Sequence, residues 1–268
     1  MTASARRLES ARSLLFVPGH RPDRFAKAGA SDADLIIIDL EDAVAPQAKD
    51  QARDHAAAWF AQGGSAVLRI NPPGTPWYDA DLALAASAAA PVMVPKAEDA
   101  AVLSDLVCRL PGSCPLIPLI ETAPGVERAA EVCAVTGTVR AAFGNVDLAG
   151  QLGVAPDDHL ALGYARSRLV TASASAGISA PIDGVTTSIR DTDALAADIA
   201  HARRMGFTAK LCIHPNQLRQ ANTAFTPTDE ERRWARAVID AQDSLAVVDG
   251  QMVDKPVIER ARRILAAT

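Results

Sequence analysis

Pro115-Leu116-Ile117-Pro118-Leu119-Ile120-Glu121-Thr122-Ala123-Pro124-Gly125 is an apolar run that stops abruptly on a carboxylate, followed by a small-residue turn. The run has the length and composition of a buried strand, and the turn leads into a helical stretch. The pattern recurs at Val139-Arg140-Ala141-Ala142-Phe143-Gly144-Asn145-Val146-Asp147, again read as a strand-like run ending on an acid. A charge at the end of an apolar run is poor packing and good chemistry. Two acids at the exits of successive strands point to one site for a hard cation.

Working outward in both directions, the same unit repeats. Apolar runs are read at 13–17, 35–42, 66–71, 91–96, 115–121, 139–147, 180–185 and 209–214. Helical stretches are expected over 23–29, 46–62, 77–89, 99–110, 125–135, 160–176, 191–205 and from Thr226 or Thr228 to 242. The strands are near-continuous apolar runs, as in parallel sheets covered on both faces. Eight strand–helix repeats in 268 residues predict an α/β TIM (β/α)8 barrel over residues 11–244. An open doubly wound sheet is the rival, disfavoured because no GxGxxG follows any strand. Residues 245–268 leave the repeat as a tail of two short strands around Asp249-Gly250, closed by a helix over 257–267.

Composition excludes several classes. Hydrophobic residues are 49% and charged residues 22%, the balance of a globular protein with a large core. Aromatics are only 4% and the net charge is −5, so neither a base-stacking platform nor a cationic footprint for nucleic acid or membrane is visible. No apolar run is long enough to span a bilayer. Residues 1–12 carry no secretory h-region, which predicts a cytoplasmic protein with reduced thiols. Cys108, Cys114, Cys133 and Cys212 form no CxxC pair. Cys212, inside an apolar run, reads as a buried small hydrophobe rather than a nucleophile.

In a TIM barrel, functional groups gather at the C-terminal ends of the strands. Those ends carry Asp39 and Glu41, Arg69 and Asn71, Lys96, Glu121, Asp147, Asp183 and His214. The bland alternative is helix caps and loop ion pairs, which suits Asp42, Asp99 and Asp191 at helix starts. Glu121, Asp147 and Arg69 sit in or at the end of apolar runs, where function is the better reading. The acids outnumber the bases, and oxygen donors without paired Cys or His favour Mg2+ over zinc. Arg69 is suited to grip a substrate carboxylate in two-pronged fashion. This chemistry is Lewis-acid polarisation of a carbonyl and stabilisation of an enolate.

The chain resembles the citrate lyase beta subunit-like group of the class II aldolase, malyl-CoA lyase and citramalyl-CoA lyase superfamily. The matching elements are Arg12-Ser13-Leu14-Leu15-Phe16-Val17-Pro18-Gly19, Asp39-Leu40-Glu41-Asp42-Ala43-Val44, Leu68-Arg69-Ile70-Asn71, Pro95-Lys96, Ile120-Glu121-Thr122-Ala123, Gly144-Asn145-Val146-Asp147-Leu148, Ile213-His214-Pro215 and 248–256. They are collinear over almost the whole chain.

The resemblance implies a Mg2+-dependent carbon–carbon lyase that cleaves a malyl-, citramalyl- or citryl-type CoA thioester to acetyl-CoA and a 2-oxo acid. It places Mg2+ on Glu121 and Asp147 and the oxo acid on Arg69, with Lys96 beside the substrate. Arg24 and Lys27 are implied for the CoA phosphates, and Ile213 and His214 for the acyl-CoA. Asp254, supplied by a neighbouring subunit in relatives with the full tail, is the implied acid/base. Read locally, Asp254 caps the last helix, and Asp39 and Glu41 are alternative proton carriers or orienters of Arg69.

The resemblance also implies a homo-oligomer, a trimer or hexamer. Thioester hydrolysis, reverse condensation, a small-pyruvate aldolase, and the barrel subunit of a citrate lyase complex using an acyl carrier protein are the alternatives.

Overall fold

The computed structural model describes residues 2–112, 114–241, 247–248 and 251–266. Eight parallel strands close into a barrel: β1 Ser13–Pro18, β2 Leu35–Asp39, β3 Val67–Arg69, β4 Val92–Val94, β5 Leu116–Ile120, β6 Arg140–Phe143, β7 Ser179–Asp183 and β8 Ala209–Cys212. β8 returns to β1 with Ser13 opposite Lys210, and each strand otherwise pairs with its sequence neighbour. The TIM barrel expected from the repeat is the observed fold.

Strand parity decides what enters the barrel interior. Leu35 and Ile37 of β2, Val67 of β3, Ile117 and Leu119 of β5, Ala142 of β6, and Ala209 and Leu211 of β8 pack in one core cluster. Continuing the same parity upward reaches Asp39, Arg69, Glu121, Gly144 and Ile213. The polar mouth is therefore the continuation of the apolar interior, delivered by a period of two.

Three helices lie outside expectation, one of them Leu218–Phe225 after β8. The Ala3–Ser10 helix precedes β1, and its Leu8 joins the interior cluster. Thr2 caps it by accepting the Ala5 amide. The third is Asn145–Leu152, which follows β6 directly. The run expected as strand through residue 147 ends at Phe143, so Asp147 lies in the first turn of a helix rather than at a strand end. Gly144 breaks the extended run, and Leu148 and Ala149 give the following segment a buried face. The helix expected to begin near 160 begins at Gly163.

The lower end of the barrel is held by Arg140, fully buried at the start of β6. Its guanidinium donates to the carbonyls of Ala180 (2.6 Å), Leu8 (3.2 Å) and Ala11 (2.6 Å) and to Thr208 Oγ1 (2.5 Å). Burial pushes its pKa down to about 9. Arg140 thus ties the N-terminal helix to β6, β7 and the approach to β8.

The described chain forms two compact units, 1–221 and 222–268. The division expected at 244/245 lies outside the described residues. In the second unit the Asp229–Asp240 helix starts with a capping box between Thr228 and Glu231. It packs against the Lys255–Ala266 helix through Ala235, Val238 and Ala261, with Trp234, Val257 and Ile258 around them. The expected pair of short strands is present as β9 Val247–Val248 and β10 Gln251–Met252, antiparallel. The Asp249-Gly250 turn lies outside the described residues. Among the described residues, no helix is long and apolar enough to cross a membrane.

Arg140→Ala is expected to lower the unfolding free energy by about 2–5 kcal/mol, because it leaves buried carbonyls without donors. Arg140→Lys should recover only part of this, since an ammonium lacks the planar fork. Urea unfolding followed by circular dichroism checks both.

Candidate functional site

β2 ends on Asp39, whose carboxylate is almost fully buried. It accepts two hydrogen bonds from Arg69, at 2.7 Å from Nε and 2.6 Å from Nη2. It also accepts the Glu41 and Ala43 amides, at 2.9 and 3.2 Å, so one side chain fixes both the guanidinium and the turn after β2. Asp39 and Arg69 are direct neighbours in the β2–β3 register, which explains the pairing. The guanidinium also lies 4.9 Å over the Phe16 ring. Burial works against its charge, yet Asp39, Glu41 and Glu121 outweigh that effect and raise its pKa.

Glu41 continues the chain of charges. Its Oε1 accepts from Lys96 Nζ at 2.8 Å, and its Oε2 lies 3.1 Å from Arg69 Nη1. That contact lacks hydrogen-bond geometry, and Glu41 Oε2 is buried with no hydrogen-bond donor. Burial raises the Glu41 pKa despite the two cations. Lys49 clamps the backbone beneath it by donating to the Leu40 and Glu41 carbonyls, both at 2.7 Å. Asn71 donates to the Leu40 carbonyl and to Asp81.

Glu121 follows β5 and is 3% exposed. Its Oε1 accepts the Lys96 amide at 2.8 Å. Burial first, then the negative charges of Glu41 and Asp147, push its pKa up to about 8; the Lys96 amide and Arg69 oppose this without cancelling it. Gly144 makes room for it. A Cβ at position 144 would collide with Glu121 Cβ and stand 2.8 Å from Oε2. Asp147 is half-buried on the next helix. Asn145 fixes the start of that helix by donating to the Pro156 and Val185 carbonyls and accepting the Val185 amide.

The ring of strand ends thus separates into two groups. Asp39, Glu41, Arg69, Lys96 and Glu121 share one connected site, and Asp147 acts on Glu121 through its charge. Asn71 and Asp183 are structural. Asp183 is enclosed by Arg166 (3.0 Å) and Lys210 (2.9 Å), and although burial opposes it, these cations lower its pKa.

His214 caps the Pro215–Gln217 turn, its Nδ1 accepting the Asn216 amide at 3.1 Å. Ile213 is part-exposed, and Gln217 Oε1 accepts its amide at 2.9 Å. Arg24 and Lys27 are exposed beyond β1, on either side of buried Phe25. Asp254 is exposed and caps the last helix, accepting the Val257 amide at 3.1 Å. None of the four cysteines forms a disulfide among the described residues. Burial pushes Cys212 up to about 12, which leaves it unreactive as a nucleophile.

The donor set fits a hard divalent cation. It is oxygen-only, and among the described residues the buried Glu121 carboxylate forms no ion pair. Among the described residues there is no metal-holding group of three or more His, Cys, Asp or Glu. Two carboxylates would leave the other positions of a six-coordinate ion to water and substrate oxygens, the usual arrangement for Mg2+.

Lys49, Asn145, Gly144 and Gln217 were not singled out as site supports in the sequence. Only Gly144 and Asn145 had a signal there, as part of the Gly144-Asn145-Val146-Asp147 motif.

In the folded chain Glu121 holds its proton up to about pH 8, against an ordinary value of 4.5. Its ionisation therefore costs stability that is intact below about pH 4.5 and is lost as pH rises towards 8. Glu121→Gln, free of metal, should be more stable than the unsubstituted chain by on the order of 3–5 kcal/mol near pH 8.5 and equal to it near pH 4.5. Urea unfolding in chelator at the two pH values is the check.

A family model described as HpcH/HpaI aldolase/citrate lyase matches residues 12–215. A protein of Deinococcus radiodurans named citrate lyase subunit beta-like protein is 35% identical over 95% of this chain and 96% of its own length. A Cereibacter sphaeroides protein named (3S)-malyl-CoA thioesterase is also 35% identical, covering 95% of this chain and 93% of its own. The crystal structure of CitE from Mycobacterium tuberculosis in complex with magnesium, acetoacetate and coenzyme A superposes with a TM-score of 0.81. It is 34% identical and covers 97% of this chain and 98% of that one.

Proposed function

The chain belongs to the HpcH/HpaI aldolase/citrate lyase family, and on that footing we propose that it is a Mg2+-dependent carbon–carbon lyase. The proposed reaction cleaves a malyl-, citramalyl- or citryl-type CoA thioester to acetyl-CoA and a 2-oxo acid. One observation carries this reading: a fixed guanidinium and a buried, uncompensated carboxylate face the same barrel mouth, bridged by Glu41 and Lys96. That pairing matches the two ends of a 2-oxo acid, a carboxylate for the guanidinium and a carbonyl oxygen for a cation.

Glu121 and Asp147 would hold the Mg2+ ion. When bound, the ion supplies Lewis-acid polarisation of the carbonyl oxygen that forms as the carbon–carbon bond breaks. Arg69 receives the carboxylate. A guanidinium has five N–H donors, and Asp39 takes two of them on the Nε–Nη2 side. The outer Nη1–Nη2 edge retains donors for substrate.

Cleavage needs a base for the 3-hydroxyl proton and an acid that returns a proton to the acetyl carbon. Asp39 is saturated by Arg69 and two amides, which suits it to orientation. Asp254, exposed at its helix start, is the proposed acid/base, acting from a neighbouring subunit of a homo-oligomer, trimer or hexamer. Arg24 and Lys27 would meet the CoA phosphates, and Ile213 and His214 the acyl arm.

A second reading, hydrolysis of the same thioester, is favoured by the relative named (3S)-malyl-CoA thioesterase. An acyl carrier protein in place of CoA is the alternative carrier.

Mass-spectrometric analysis of the purified chain with malyl-, citramalyl- and citryl-CoA separates these readings. Acetyl-CoA plus one oxo acid, abolished by EDTA, is the expected result. Free CoA with the intact hydroxy acid would mean hydrolysis, and no turnover would remove both. Glu121→Ala and Asp147→Ala are each expected to lower kcat at least about a thousandfold with the fold retained. Unchanged turnover in either would remove the metal assignment.

A further inference from the structure

Among the described residues only two non-glycine residues have positive φ, Ala89 (48°) and Lys96 (49°). Ala89 terminates the Tyr78–Ala88 helix, where a left-handed residue is ordinary. Lys96 has no such excuse. It sits in the turn after β4, ahead of the helix capped by Asp99. A left-handed backbone at a side-chain-bearing residue persists only where surrounding contacts over-determine it.

Those contacts are explicit. The Lys96 amide donates to Glu121 Oε1 at 2.8 Å, and its Nζ donates to Glu41 Oε1 at 2.8 Å. The next amide, Ala97, donates to the Leu119 carbonyl of β5 at 3.2 Å. From the other side the turn is covered by Gly125, where a Cβ would stand 2.9 Å from the Ala97 carbonyl oxygen. The turn is thus pressed between β5 and the start of the next helix. In this conformation its amide is aimed at Glu121.

We infer that Lys96 is a positioning residue that sets the spacing between the metal carboxylate and the Arg69 grip, through its left-handed amide on Glu121 and its ammonium on Glu41. Glu41 is in turn 3.1 Å from Arg69 Nη1. One residue therefore indexes both ends of the site, and the distance between them is what a 2-oxo acid must match. The inference rests on the proposed function, and it assigns to the backbone of Lys96 a role separate from its charge.

Substitutions separate the two. Lys96→Gly keeps the amide and adopts positive φ freely but lacks the ammonium. Lys96→Ala keeps the left-handed penalty but loses the Nζ–Glu41 contact that helps the backbone contacts to hold it. Lys96→Arg restores a cation for Glu41. The probes are Mn2+, a spin-active substitute for Mg2+, bound to the full chain and read by electron paramagnetic resonance, and pyruvate binding by calorimetry with Mn2+ saturating. Circular dichroism confirms the fold of each variant.

Mn2+ affinity should stay within about twofold in Lys96→Gly and fall about tenfold in Lys96→Ala, the penalty of a left-handed non-glycine residue. Pyruvate affinity should fall about tenfold in Lys96→Gly and return to within about threefold in Lys96→Arg. Equal Mn2+ loss in the Gly and Ala variants, or none in either, would overturn the backbone role. Unchanged pyruvate affinity in Lys96→Gly would overturn the coupling to Arg69. If the unsubstituted chain bound Mn2+ no better than Glu121→Gln does, the metal site itself would fall, and this inference with it.

Discussion

The two hydrogen bonds from Arg69 to Asp39 hold the top of this barrel together. A guanidinium at the end of a buried strand needs an anion, and the adjacent strand supplies one in register. Because Asp39 also accepts two backbone amides, the pair freezes the turn that carries Glu41. Glu41 then meets Lys96, and the Lys96 backbone meets Glu121. The result is a line of alternating charges running from β2 to β5 across the mouth. Asp39, Glu41, Arg69 and Glu121 are each costly to bury alone and acceptable beside their neighbours, while Lys96 reaches Glu41 from an exposed position.

That line is built on the plainest feature of the strands. The period of two that places Ile37, Val67 and Leu119 in the core places Asp39, Arg69 and Glu121 one step above it. The mouth therefore shares the precision of the core packing, which suits a site that must hold donors to fractions of an ångström. The supports outside the parity rule are backbone clamps: Lys49 under Glu41, Asn145 under the Asp147 helix, and Gly144 as the space that Glu121 fills.

This explains what was legible in the sequence. Apolar runs ending in charge are a signal of strand order and of the mouth, so the barrel and the ring of polar strand ends are legible directly, while the contacts that join Asp39, Glu41, Arg69, Lys96 and Glu121 and set Asn71 and Asp183 apart are not. Asp147 was assigned to the right strand–helix unit but the wrong element, because Gly144 ends an extended run without marking where the helix starts. The N-terminal helix was missed because its polar residues hide a single interior contact, Leu8. Arg140 was read as part of a strand, and nothing local shows that its guanidinium serves the carbonyls of an element some 130 residues away. Long-range hydrogen bonds to backbone leave no pattern in a sequence, since every residue offers a carbonyl.

Two buried acids at strand ends show that charge surroundings, and not position alone, set an acid's state. Asp183 ends β7 and Glu121 follows β5, and both are almost fully buried. Asp183 has two cations in direct contact, and they hold it ionised against the cost of burial. Among the described residues Glu121 accepts the Lys96 amide and forms no ion pair, Glu41 and Asp147 add negative charge, and its pKa is pushed up to about 8. The first environment is complete and needs nothing from solution. In the second, Arg69 and one amide do not offset burial and the neighbouring acids, and a bound divalent cation would bring the Glu121 carboxyl back to its ionised form. An ion held by few protein oxygens would keep positions open for further oxygens, and the proposed function assigns those positions and Arg69 to the substrate.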